Sequence, residues 1–404
     1  MFKEISINEL KPGMFVQSIV EQRGKMKIKS QGKVTKQAVI DQMRSKGILK
    51  LLIDPSKEFI PESQAAAEPE APIAEPEPEN TPPEPEIERD EKVAFEDEVS
   101  VAKKLHDQGK LAQKRMFNAV SRGLPVDLKM PKEFTEQLVG SIDRNPNALM
   151  CLTKIREKDT YLLEHSLNVA VLLANFAKYL GMAEEEVQEL ALAGFLHDIG
   201  KIKIPDEILH KPGRLTDPEM NIMRDHVFHG VCTLEDMGLP EHIVRTMSEH
   251  HERLDGYGYP EGLRGDEISL YGRMIAIVDT YDAITADRVY KAGMSSQKAL
   301  KILIGDSPTM YDLELVQKFV KCVGVYPVGS LVMLSNEHIG MVTKLNYESP
   351  TRPRVKVFYS ARNETYLPIK DVDLKNSQTK VEKGVTPAEF GLDFNRFFRE
   401  RIAI

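Results

Sequence analysis

A histidine and an aspartate stand side by side in Leu196-His197-Asp198-Ile199-Gly200-Lys201, at the end of an apolar helical run that a glycine breaks. Adjacent helical residues point about 100° apart. His197 and Asp198 can therefore share a metal only if it sits close to the helix end, with other parts of the chain bringing the remaining ligands. The chain holds ten histidines, and eight of them lie between positions 165 and 251. Four places in that stretch combine a helical pattern with a nearby acid or a second histidine: His165, His197-Asp198, His226 and His250-His251. Imidazole together with carboxylate suits first-row divalent metals such as Fe, Mn, Zn, Co or Ni, and the thiolate pairs of structural zinc are missing. A lone histidine usually just bonds its neighbours, but the set as a whole does not read that way. His210, His229 and His242 fit supporting or surface roles.

A further acid comes from Arg273-Met274-Ile275-Ala276-Ile277-Val278-Asp279-Thr280-Tyr281-Asp282, where an apolar helical run buries a carboxylate at 279. An unpaired buried carboxylate costs several kcal/mol, and a metal removes that objection. Asp282 shares the Asp279 face at i,i+3, and Arg288 and Lys291 follow about two turns later. Cations there suit either a phosphate ligand or an ordinary helix C-terminus.

These residues need a helical frame, and the middle of the chain supplies one. Between about 150 and 325, helical patterns at 161–180, 184–197, 217–237, 242–251, 268–288 and 296–305 are broken by glycine and proline, with strand signals absent. The sequence therefore predicts an all-α domain there. Helices are also expected at 98–121 and 134–142. Residues 1–60 carry short strand-like runs at 2–7, 14–20 and 50–53 around a helical spacing at 35–46, a small α+β module. Short alternating runs at 330–334, 340–345, 354–359 and 366–368 predict a small β-rich module at 326–375, with a closing helix in the tail after Pro387.

From Pro61 to about residue 92 the chain turns to Glu, Pro and Ala. Residues 62–91 hold eleven acids against Arg89, a charge of 1 − 11 = −10, so the rest of this chain of net charge −8 carries +2. Such a segment is an extended, self-repelling linker. Its acidity says nothing of the ligand, and no basic arm for DNA or RNA is present. Apolar content of 41% and charged content of 29% are those of a soluble globular protein of two or three domains. No run reaches the length of a membrane span, no signal peptide is apparent, and three cysteines without C-x-x-C spacing read as reduced thiols in the cytoplasm.

The set His165, His197-Asp198 and Asp279 resembles the HD metal-dependent phosphohydrolases. Within that group, His197-Asp198-Ile199-Gly200-Lys201, His226, His250-His251-Glu252 and Asp255-Gly256-Tyr257-Gly258-Tyr259-Pro260-Glu261-Gly262-Leu263 resemble the HD-GYP subgroup, bacterial phosphodiesterases for cyclic di-GMP. The likeness covers residues 150–325, and Leu10-Lys11-Pro12-Gly13-Met14 resembles the small domain often found ahead of it.

The resemblance implies His165, His197, Asp198 and Asp279 around one metal and His226, His250 and His251 around a second, with Asp198 bridging. It also implies that Lys201, Asp282, Arg288 and Lys291 hold the nucleotide phosphates or assist the chemistry. Some members carry a glutamate four residues before the first histidine that helps hold a third metal. Tyr161 stands at that position here, so two ions are expected, Fe or Mn. The implied reaction is attack on phosphorus by a hydroxide between the ions, giving pGpG and then GMP. Two alternatives stay open: a receptor that binds a cyclic dinucleotide with little turnover, and a hydrolase of a different cyclic dinucleotide. The Gly258-Tyr259-Pro260 loop and the N-terminal module are candidate protein-contact sites, and a homodimer is compatible with the sequence. Gly200 is expected to end its helix and turn Lys201 toward the cavity.

Overall fold

Strand-forming runs at the N-terminus pair into an antiparallel sheet of order β1-β4-β2-β3, made of Lys3–Ser6, Phe15–Gln22, Gly32–Lys33 and Ile48–Ile53 as β1 to β4. Alternation puts one face inward. Ile5, Val16, Ile48, Leu51 and Ile53 close a small core with Ile7, Leu10 and Ile40. In this computed structural model the described residues are 3–11, 14–22, 32–33, 40, 44, 48–55, 91–155, 161–286 and 293–402. Ile40 and Arg44 are helical. The rest of the helical spacing expected at 35–46, and the acidic segment up to residue 90, lie outside the described residues.

The chain divides into two units, Met1–Pro85 and Glu86–Ile404. The second opens with α1, Phe95–Ser121, whose first turn holds Glu96, Asp97 and Glu98 where the helix dipole favours anions. It continues through α2 (Lys129–Arg144), α3 (Pro146–Leu152), α4 (Tyr161–Tyr179), α5 (Glu184–Leu196), α6 (Asp206–Leu209), α7 (Asp217–Asp236), α8 (Glu241–Ser248), α9 (Leu270–Thr285), α10 (Ser296–Asp306) and α11 (Leu313–Val323). The expected helices are all present among these. α4 is apolar nearly all round, with Leu167, Val171, Leu173 and Phe176 buried, as suits a helix covered on every side. α5 lies against it through Gly194, where a Cβ would come within 3.1 Å of the Ala170 backbone.

A five-stranded antiparallel sheet follows, of order β8-β7-β6-β5-β9: Leu331–Leu334, His338–Lys344, Arg354–Ser360, Thr365–Asp373 and Val381–Val385 as β5 to β9. β9, Val-Glu-Lys-Gly-Val, has no strand signal of its own beyond its ends and pairs through backbone with β5. The module expected to close at residue 375 therefore extends past it. α12, Phe394–Arg401, lays Phe397 on Phe358 with ring centroids 4.6 Å apart, which closes this end as the tail predicts. The sheet shares one hydrophobic core with the helices. Among the described residues no helix is long and apolar enough to cross a membrane.

Candidate metal centre

α5 ends at Leu196, His197 takes its C-cap, and Ile199–Lys203 turns into a short 3-10 helix. Gly200 has no positive φ. A Cβ there would lie 2.0 Å from the carbonyl oxygen of His226 and 2.4 Å from the nitrogen of Gly230. The expectation that Gly200 serves to break the helix is thus corrected: it lets the HD turn and α7 meet backbone to backbone, which sets His226 beside Asp198.

The other ligands arrive from three more elements. α4 carries His165 just after its first turn, the turn Glu249–His251 after α8 carries His250 and His251, and α9 carries Asp279 and Asp282. Glu249 fixes that turn to the start of α9, accepting from Ser269 N at 3.0 Å and from Arg245 Nε at 2.7 Å. Ser269 in turn caps α9 through Gly272 N at 3.0 Å.

The two carboxylate oxygens of Asp198 face different histidines. Oδ2 lies 3.3 Å from His197 Nε2 and 3.7 Å from His165 Nε2. Oδ1 lies 3.7 Å from His226 Nε2 and 4.0 Å from His250 Nε2. Asp279 repeats the pattern, with Oδ1 2.9 Å from His165 Nε2 and Oδ2 3.8 Å from His251 Nδ1. Ligand atoms of His165, His197 and Asp279 come within 4.8 Å of one another, and so do those of His226, His250 and His251. The seven residues named as ligands from the sequence thus converge in two adjoining lobes, and His197, Asp198 and His250, whose ligand atoms also lie within 4.8 Å of one another, join them.

Hydrogen bonds fix which ring atoms face the cavity. Nδ1 of His197, His226 and His250 each meets a backbone carbonyl three residues upstream, those of Gly194 (2.8 Å), Met223 (2.6 Å) and Met247 (2.5 Å). A carbonyl only accepts, so each Nδ1 carries the proton and each Nε2 presents a lone pair. Two such lone pairs, on His226 and His250, face each other at 3.3 Å. Buried His197 Nε2 and Asp198 Oδ1 have no hydrogen-bond partner among the described residues. Facing lone pairs and unsatisfied buried acceptors are unfavourable unless a cation lies between them, so the donor set fits divalent metal. Burial, with Lys201 adding to it, pushes His226 down to about 4, and burial pushes His251 down to about 3. His250 is also depressed by burial and by His251. These rings are neutral at pH 7, as ligation requires.

His165 differs. Burial disfavours its charge, yet hydrogen bonds to Asp279 and Asp282 push it up to about 9. Its Nδ1 donates to Asp282 Oδ2 at 2.8 Å. Asp282 is buried, and its Oδ2 meets the Nδ1 edge of His165, the opposite ring edge from Asp279 and Asp198, where it orients the ring. Lys201 Nζ donates to Asp198 Oδ2 at 2.6 Å and helps hold that buried carboxyl well below the usual range although burial opposes it. Arg288 and Lys291 lie outside the described residues, beyond the end of α9. The side chain of Tyr161 also lies outside them.

Several contacts around the site could not be read from the sequence alone. Gln113 of α1 donates through Nε2 to the carbonyl of Phe195, the last turn before His197. Glu252, beside the histidine pair, accepts from the backbone nitrogens of Glu261 (2.7 Å), Gly262 (3.0 Å) and Leu263 (3.0 Å), and so folds the Gly258-Tyr259-Pro260 loop back on the site. That loop puts the Tyr259 ring 4.6 Å from the His251 ring.

A helical domain with a shared aspartate between two histidine lobes defines a metal-dependent phosphohydrolase of the HD type. The HD domain family matches residues 150–315. A domain of unknown function (DUF3391) matches 2–130, and a KOW domain associated with HD domains matches 331–391. The chain is 36% identical over 399 residues to "Cyclic di-GMP phosphodiesterase PA4108" of Pseudomonas aeruginosa, covering 96% of this chain and 93% of that protein. It is 38% identical over 170 residues to "3'3'-cGAMP-specific phosphodiesterase 1" of Vibrio cholerae, covering 42% of this chain and 39% of that one. A "Cyclic di-GMP phosphodiesterase" of Thermotoga maritima is 38% identical over 177 residues, 43% of this chain and 47% of that one. Among solved structures, Bd1817, an HDG"Y"P protein from Bdellovibrio bacteriovorus, aligns with a TM-score of 0.47 at 16% identity, over 79% of this chain and 98% of that one. The chain belongs to the HD-GYP family of phosphodiesterases.

Proposed function

We propose that this chain hydrolyses cyclic di-GMP to linear pGpG, and pGpG further to GMP, with two divalent ions, Fe or Mn. The observation that carries the reading is Asp198, whose two oxygens face separate histidine sets. His165, His197, Asp279 and Asp198 Oδ2 would hold one ion; His226, His250, His251 and Asp198 Oδ1 would hold the other. When bound, such a pair supplies charge stabilisation at the phosphoryl oxygens and activation of the attacking water. The chain's own residues do the rest. Lys201, partly exposed beside Asp198, brings a cation to the non-bridging oxygens of the scissile phosphate. Asp282 holds the His165 ring at its angle through Nδ1. Arg288 and Lys291 are assigned to the nucleotide phosphates from the sequence.

Free Cys151, Cys232 and Cys322 fit a reducing compartment, and a cytoplasmic location follows from a cytoplasmic messenger. Protein partners are assigned to the Gly258-Tyr259-Pro260 loop, which exposed Tyr257 precedes, or to the N-terminal module. A homodimer remains compatible with this reading.

The likeness to a cGAMP-specific enzyme motivates a second reading, hydrolysis of a mixed cyclic dinucleotide. Anaerobically metallated protein given cyclic di-GMP and 3'3'-cGAMP side by side separates them. Faster pGpG formation is expected. Faster cGAMP turnover selects the second reading, and tight binding of either with no product overturns the enzymatic one.

A further inference from the structure

The ligand side chains are buried except His251, whose side chain is 25% exposed, so the centre opens on the His251 side. Tyr259 forms the wall there. Its ring centroid lies 4.6 Å from that of His251 and 6.5 Å from that of His226. The guanidinium of Arg224 sits 5.1 Å from the same ring centroid. Arg224 is exposed, and among the described residues it makes no ion pair. In contrast, Arg144, Arg245, Arg253 and Arg273 each pair with a carboxylate.

We propose that Arg224 holds the second phosphodiester of the cyclic dinucleotide, the one not being cleaved. The inference rests on the reading above and adds a contact to it. A cyclic dinucleotide carries two phosphates on one ring, and only one can occupy the metal lobes. The other is a monoanion that must lie outside them, toward the open side. A planar guanidinium resting on an aromatic ring keeps its N–H fork free at the edge, and that fork matches two phosphate oxygens. Pre-placement on Tyr259 also lowers the rotamer entropy lost when the phosphate binds. Tyr259 thus links the two parts: it touches a metal-lobe histidine and carries the cation for the distal charge.

The test compares wild type, Arg224→Ala and Arg224→Lys, all loaded with Mn under anaerobic conditions and checked for metal content. The substrates are cyclic di-GMP and bis(p-nitrophenyl) phosphate, which has a single phosphodiester. For Arg224→Ala the KM for cyclic di-GMP is expected to rise about tenfold, the loss of one charged bidentate contact, with kcat moving much less. Arg224→Lys is expected to recover part of that loss, and KM for the single phosphodiester to stay within about twofold. An unchanged KM for cyclic di-GMP overturns the proposal. An equal rise for both substrates overturns it too, because Arg224 would then be shaping the centre rather than reading the second phosphate. If wild type cleaves bis(p-nitrophenyl) phosphate but leaves cyclic di-GMP intact, the substrate assignment falls, and this inference with it.

Discussion

Asp198 is common to the two lobes, and His165 sets their chemistry apart. Below about pH 9 His165 carries a proton between Asp279 and Asp282, and a metal must displace it, whereas His226 and His251 are neutral down to about pH 4 and about pH 3. A ligand protonated when free weakens binding up to tenfold for each pH unit below its pKa. Affinity of the His165 lobe is therefore expected to climb as pH rises from 6 to 9, and affinity of the His226 lobe to stay flat over the same range. Calorimetric Mn titrations in buffers of differing ionisation enthalpy read this directly: one class of site should release a proton and the other should not. Lys201→Ala is expected to keep both metals and to lower kcat about a hundredfold, measured as pGpG formation with metal content in parallel. Loss of metal would make Lys201 a support for Asp198 instead. The candidate ligand set was legible in the sequence because metal chemistry demands particular residue types, and eight histidines crowded into one stretch are hard to place otherwise. The role of Asp282 was not, since i,i+3 spacing puts it on the Asp279 face without saying which edge of His165 it meets.

At the level of elements, the HD turn depends on neighbours distant in the chain. Gly200 touches the backbone of His226 and Gly230 on α7, and Gln113 of α1 holds the carbonyl of Phe195. Neither contact could be read from local pattern, because a glycine at a helix end usually signals a cap and a glutamine on a long helix usually faces water. Helix positions were legible, since apolar periodicity and breakers are local. β9 was not, since its residues are held by pairing with β5 rather than by their own propensity. Gly200→Ala is expected to destabilise the protein by about 1–3 kcal/mol, the cost of overpacking against backbone that cannot move aside, and to weaken metal binding by shifting His226. Urea unfolding with a metal titration measures both. A variant as stable as wild type would show that α7 can retreat.

For the molecule as a whole, the described residues from 91 onward belong to one compact unit. Lys356 of β7 joins Glu96 of α1 at 2.6 Å and Asp371 of β8 at 2.9 Å, and buried Cys151 of α3 meets Met341 of β6 at 3.7 Å. The sequence separates a helical domain from a β-rich module by composition, yet a shared core between them is a matter of which apolar faces meet, and pattern does not say. Deleting residues 65–88 is expected to leave kcat/KM within about threefold, as for a spacer. Truncation after residue 325 uncovers the helical side of the shared core and is expected to lower Tm by several degrees or more. Thermal unfolding with an activity assay distinguishes the two changes.

A carboxylate shared between two ions is the centre of the proposed chemistry. Metal-free protein titrated anaerobically with Mn, with pGpG formation followed at each addition, should show little turnover at one equivalent and full turnover at two, and Asp198→Ala should show neither binding nor product. Full turnover at a single equivalent, or an active Asp198→Ala protein, would contradict it.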